Sequence, residues 1–234
     1  MVLQRLRREY RDNPILLESF LVVLLVAALV VAGEFAVFAI QGWMGAQGIP
    51  FHSPHTRLDD YIPFVPVMIW PYWFYFAFMA MGAWLPRNRY DLARLAVGFL
   101  LMNFLSYAFF LAYPTVMERP SLEGCMSISC GMVGVMYDMD PGYGLLPSLH
   151  TANSVFIALC AFVFQSRLRW IAAGIALSIL ASTVMVKQHY IVDVPAGILV
   201  GSTGAFFSVY LLDRLAARNK LLATMKGELL GEKA

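Results

Sequence analysis

Apolar positions in this chain do not follow the one-sided spacing of a surface helix. They gather into six nearly unbroken blocks, at residues 16–40, 65–85, 92–113, 149–164, 170–186 and 191–212. A helix needs about 20 mostly apolar residues to cross the hydrocarbon core of a bilayer. The pattern therefore predicts an all-α, polytopic membrane protein in which six transmembrane helices form one bundle. The polar breaks between blocks differ in kind. Residues 86–91 and 165–169 are short connections, which make the helices on either side antiparallel neighbours. Residues 41–64 and 114–148 are long, hold much of the Pro and Gly, and carry most of the side chains suited to chemistry. No internal repeat or low-complexity stretch interrupts the pattern, so residues 1–234 are expected to form a single integral-membrane domain.

Composition agrees: 60% of residues are hydrophobic and 14% charged, far from the balance of a soluble domain. The basic opening "MVLQRLRREYRDNP" leads into an apolar run too long for a signal-peptide core and without a small-residue cleavage site, so the first block is expected to remain in the protein. Charge then orients the bundle. Of the 17 Lys and Arg, all but Arg57, Arg119 and Lys187 fall at the two ends of the chain or in or just beside the two short connections. By the excess of basic residues on the inner side, that face and both termini are cytoplasmic. The basic ends thus serve topology, and nucleic acid is not an expected partner. The expected location is a cell membrane of the bacterial inner-membrane kind, with the long loops on the extracytoplasmic side.

All four histidines, His52, His55, His150 and His189, fall on that outer side. In "KQHYIVDVPAG", His189 precedes Asp193 by four residues, a spacing that shares one face in a helix. A carboxylate there can hold one ring nitrogen and leave the other as nucleophile or base. Pro195 makes a tight bend as acceptable as a continuous helix, and either brings the pair together. In "PSLH", Pro147 breaks the chain, Ser148 is a good N-cap, and His150 falls in the first helical turn. Free N–H groups at a helix start suit a phosphate, and an imidazole there can protonate a leaving oxygen while His189 attacks. The plainer alternative is a polar cluster that caps two helix ends at the membrane interface.

The remaining candidates are weaker. Cys125 and Cys130 stand in an outer loop, where an oxidising compartment allows a local disulfide or leaves two free thiols, while Cys160 reads as a packing residue. "FHSPHTRLDD" offers His52, His55, Asp59 and Asp60, but Pro54 prevents a regular helical pair, and a loop that covers the site fits better than a metal centre. Glu34, late in the first block, either snorkels or faces the bundle.

These residues resemble the type-2 phosphatidic acid phosphatase superfamily. Pro147 to His150 is similar to its Pro-Ser-x-His motif, and His189 to Asp193 to the His-x-x-x-Asp core of its third motif. The resemblance implies a lipid phosphatase or phosphotransferase that works through a phosphohistidine on His189, with Asp193 orienting it and His150 as general acid. No cofactor and no metal are implied; the substrate is a lipid phosphate or phospholipid. Two departures modify this. The first motif's Lys-x6-Arg-Pro keeps Arg119-Pro120 but has Ala112 in the lysine place, and Thr183 stands where the third motif carries arginine. Arg119, Lys187 and Ser148 are then the expected phosphate-binding residues. "YPTVMERP" and "KQHYIVD" look like the branch that includes inositol phosphorylceramide synthases. Fewer cations suit a phosphodiester monoanion better than a monoester dianion, which leans the expectation toward head-group transfer. A transporter is the rival class, but it would place charges deep in several spans, and apart from Glu34 and Asn103 the block interiors lack polar groups of that kind.

Overall fold

The computed structural model describes residues 15–164, 166–218, 224, 226–228 and 230. Arg5, Arg7, Arg8, Arg11, Lys220 and Lys233, on which part of the charge argument rests, lie outside them. Helices account for the described architecture, and no strand occurs among the described residues. Each apolar block carries a helix: α1 Leu16–Ala46, α2 Ile69–Met81, α3 Arg89–Ala112, then, beyond a further helix α4 Ile128–Met139, α5 Leu149–Val163, α6 Arg169–Met185 and α7 Asp193–Phe206. A π-helical turn, Phe207–Leu211, joins α7 to α8, Leu212–Arg218. Three helical runs are long and apolar enough to cross a membrane: Leu16–Ala46, Arg89–Ala112 and Asp193–Leu215. The apolar helices α4, α5 and α6 are shorter. Along α1, Leu17, Leu21, Leu24, Leu25, Leu29 and Phe35 are exposed, a surface suited to lipid rather than water.

Helix α4 departs from the expectation of a structureless outer loop. Ser127 caps it, accepting from the Cys130 amide at 3.2 Å, and Cys130, Val133 and Met136 turn inward against Ile69, Tyr72 and Val186. A disulfide joins Cys125 to Cys130 across its start.

Helix α5 is the centre of the molecule, packed between α6 and α7. Two glycines on α7 explain how closely. A Cβ on Gly197 would lie 2.6 Å from the Ser148 carbonyl oxygen, and one on Gly201 2.3 Å from that of Ala152. Backbone therefore meets backbone, as small residues permit between membrane helices. That contact carries the start of α5 to the start of α7, where the Ser148 amide donates to the Asp193 carbonyl at 3.2 Å. Phe78, Met102, Phe156 and Ile179 fill the apolar core alongside. Two buried hydroxyls of α6 bond within their own helix: Ser182 donates to the Ile179 carbonyl at 2.6 Å and Thr183 to that of Leu180 at 2.8 Å. This costs less than an unpaired polar group in an apolar interior.

Candidate active site

The path into the site is set by how α6 ends. Lys187 adopts a left-handed backbone, φ 56°; its amide donates to the Val184 carbonyl at 3.3 Å and that of Gln188 to Thr183 at 3.0 Å. These two bonds form a Schellman motif, and the His189 amide adds a third, to the Thr183 carbonyl at 3.1 Å. Thr183 thus contributes its main chain to the site, while its side chain is buried in the bundle. From His189 the chain makes a tight bend, with the Asp193 amide on the Tyr190 carbonyl at 3.1 Å. Helix α7 then starts at Asp193, and Pro195 falls in its first turn, where proline is tolerated. Of the two geometries open to the sequence, the bend is the one adopted.

The bend brings His189 Nδ1 to 3.2 Å from Asp193 Oδ2, and the Tyr190 amide donates to the same oxygen at 2.8 Å. An ionised carboxylate only accepts, so Nδ1 carries the proton and Nε2 keeps its lone pair. Asp193 is wholly buried.

Ser148 caps α5 by accepting from the Thr151 amide at 3.3 Å, which places His150 in the first turn. The His150 ring lies 6.2 Å from that of His189, centre to centre. Two tyrosines of α2 flank it: Tyr72 stacks at 4.4 Å and Tyr75 sits tilted at 4.3 Å. Asn153, one turn along α5, donates to the Tyr75 hydroxyl at 2.7 Å and accepts from Asn103 at 3.0 Å. His150 Nε2 is shielded from solvent and has no partner among the described residues.

The two expected cations are already engaged. Arg119 donates through Nη1 to the carbonyls of Tyr137 and Asp140 and through Nη2 to Asp140 Oδ1 at 3.0 Å and Gln188 Oε1 at 2.8 Å. Its Nε is buried without a partner among the described residues. Asp140 Oδ2 in turn accepts from Gln188 Nε2. Lys187 Nζ donates to the carbonyls of Asp59 and Ile62, at 3.2 and 2.6 Å. The Asp59 carboxylate receives the Thr56 amide and hydroxyl at 2.8 and 2.7 Å and the Ile191 amide at 2.7 Å. Burial raises its pKa, but these hydrogen bonds outweigh burial and hold the group below the usual carboxylate range.

A cavity of about 720 Å³ opens here, lined by Arg119, Lys187, His189 and Tyr190 and by Ser53, His55, Asp59 and Asp60. The structure therefore brings His189, Asp193, His150 and Ser148 together, with Arg119 and Lys187 at the cavity wall. His52 stands apart, stacked on Tyr113 at 4.2 Å, and Glu34 is half-buried on α1. Among the described residues no group of three or more His, Cys, Asp or Glu is placed to hold a metal. Sequence reasoning missed Tyr72, Tyr75, Asp140 and Gln188. The only signal for the last was its place beside His189.

A family model described as the PAP2 superfamily matches residues 92–216. No curated protein and no solved structure matches the chain.

Proposed function

Because the chain belongs to the PAP2 superfamily, whose members are generally phosphatases and phosphotransferases, we propose that it is an integral-membrane lipid phosphotransferase that acts through a phosphohistidine on His189. The observation that carries this reading is the His189–Asp193 pair at 3.2 Å, with the second imidazole, His150, beside it. His189 Nε2 attacks phosphorus while the bond from phosphorus to the leaving oxygen breaks, and Asp193 stabilises the imidazolium that forms. His150 supplies the proton to that oxygen. Its unpartnered Nε2 is suited to a group that arrives with substrate. These side chains provide nucleophile, orientation and acid, so the reaction is proposed to run without metal.

Head-group transfer from a phosphodiester is the favoured form of this activity. Arg119 shares its charge with Asp140, which leaves Lys187, with two of its N–H groups taken by carbonyls, as the one of the two not paired with a carboxylate. A monoanionic diester needs less positive charge than a dianionic monoester. Purified protein should therefore convert a diacyl phosphodiester with a polyol head group, plus a lipid alcohol, into a new diester, with EDTA present and little free phosphate formed. Lys187→Met should weaken this several-fold by loosening the loop it holds. Strong preference for phosphatidate, with free phosphate as the only product, would leave a lipid monoester phosphatase instead.

We also propose six membrane crossings with both termini cytoplasmic, so that the cavity opens outward. The remaining basic residues of the described chain, Arg87, Arg89, Arg94, Arg167, Arg169, Arg214, Arg218 and Lys226, support that orientation. A single cysteine placed at Ser121, in an otherwise cysteine-free chain, should react with an impermeant maleimide on intact cells. Reaction only after permeabilisation would reverse the orientation.

A further inference from the structure

The cavity holds a second histidine–carboxylate pair that the reading above does not use. His55 Nε2 lies 3.0 Å from Asp60 Oδ1, and both residues line the cavity together with His189. As with His189 and Asp193, a carboxylate that only accepts fixes the proton on one nitrogen. Here Nδ1 is left with the lone pair. We propose that His55, oriented by Asp60, is a second acid–base centre of this cavity and activates the hydroxyl acceptor when the phosphoryl group leaves His189. The proposal rests on the phosphohistidine reading and deepens it.

Three observations carry it. First, residues 53–62 are fastened to the turn that bears the nucleophile. Ser53 donates to the Tyr190 hydroxyl at 3.1 Å, the Ile191 amide donates to Asp59, and Lys187 grips the carbonyls of Asp59 and Ile62. The His55 ring itself meets Tyr190, the neighbour of His189, edge-on at 5.6 Å. Second, His150 does not line this cavity; it is clamped between Tyr72 and Tyr75 with Nε2 shielded. An acceptor held in the cavity has His55 on its lining and not His150. Third, the His55 and Asp60 side chains are 45% and 65% exposed, so a proton taken from the acceptor passes readily to water.

The step balances. His55 Nδ1 removes the proton of the acceptor hydroxyl, whose oxygen forms a bond to phosphorus. The P–N bond breaks, its electron pair returns to His189 Nε2, and protonated His55 later releases its proton to solvent. His150 keeps the first half-reaction, where it gives its proton to the leaving oxygen, and it takes a proton back from solvent before the next turnover.

The test uses full-length protein in detergent, bis(p-nitrophenyl) phosphate as donor and glycerol as acceptor. Nitrophenolate leaves without help from an acid, so its burst reports attack by His189 and the steady rate reports acceptor activation. His55→Ala should keep the burst and lower the steady rate on the order of 10²-fold; imidazole added to the buffer should restore part of it, and Asp60→Asn should fall between wild type and His55→Ala. A steady rate equal to wild type, loss of burst and turnover together, or a slow variant that imidazole does not rescue would each overturn the proposal. His189→Ala, run alongside, speaks to the underlying reading alone: a burst that survives it would remove the phosphohistidine itself.

Discussion

Replacing His189 with alanine is expected to abolish turnover, by on the order of 10⁴-fold or more, together with any acid-labile phosphoprotein formed from a labelled donor. No other described side chain holds the same position, since His150 lies shielded between two tyrosines and His55 is paired with Asp60 in the stretch of residues 53–62. The partners of His189 should fail differently. Asp193→Asn replaces an acceptor with an amide that can also donate, so the imidazole loses its fixed tautomer, and a fall of roughly 10²- to 10⁴-fold is expected. His150→Ala should slow poor leaving groups by a similar factor, yet recover much of the first step when the leaving group is nitrophenolate. Rapid quenching with a labelled donor separates these cases. Equal loss in all three variants with every leaving group would contradict the division of roles.

The second large effect is structural and falls on glycine. At Gly201 a Cβ would stand 2.3 Å from the Ala152 carbonyl oxygen, and the nearby atoms are main chain, which cannot swing aside. Gly201→Ala should therefore push α7 away from α5 and cost at least the ~1–3 kcal/mol typical of overpacking. Gly174, where a Cβ would meet nothing within 4 Å, supplies the control, and its alanine variant should melt at or slightly above the wild-type temperature. Activity should fall further than stability in Gly201→Ala, because the same contact seats Ser148 against Asp193. Thermal unfolding in detergent beside turnover reads both. Coincident melting of the two glycine variants would mean that the helices do not touch as described.

Much of this arrangement is legible in the chain because it is local. His189 and Asp193 are four residues apart, Ser148 and His150 two, and each pair meets through one turn. The apolar blocks find their helices because length and polarity decide them. Helix α4 went unread although its capping serine is followed by the inward residues Cys130, Val133 and Met136, at three-residue spacing, because Gly and Pro around it read as loop. Tyr72 and Tyr75 were indistinguishable from packing aromatics: nothing in an apolar block says which ring will face a histidine 75 or more residues later. Arg119 and Lys187 are the instructive cases. Charge and position marked them as phosphate ligands, but their closest contacts are Asp140, Gln188 and the carbonyls of residues 59 and 62, partners chosen by the fold across long separations.

Tyr72, Tyr75 and the fastened stretch from Ser53 to Ile62 all precede Leu92, whereas His150, His189 and Asp193 all follow it. The groups assigned to the phosphohistidine step are thus written in one stretch of the chain, and much of the enclosure around them, His55 and Asp60 included, in another. Exchanges confined to the first 91 residues would reshape what the chamber admits, and which group meets the acceptor, while His150, His189 and Asp193 stay as they are. Such a division separates the choice of reactants from the making of the phosphohistidine.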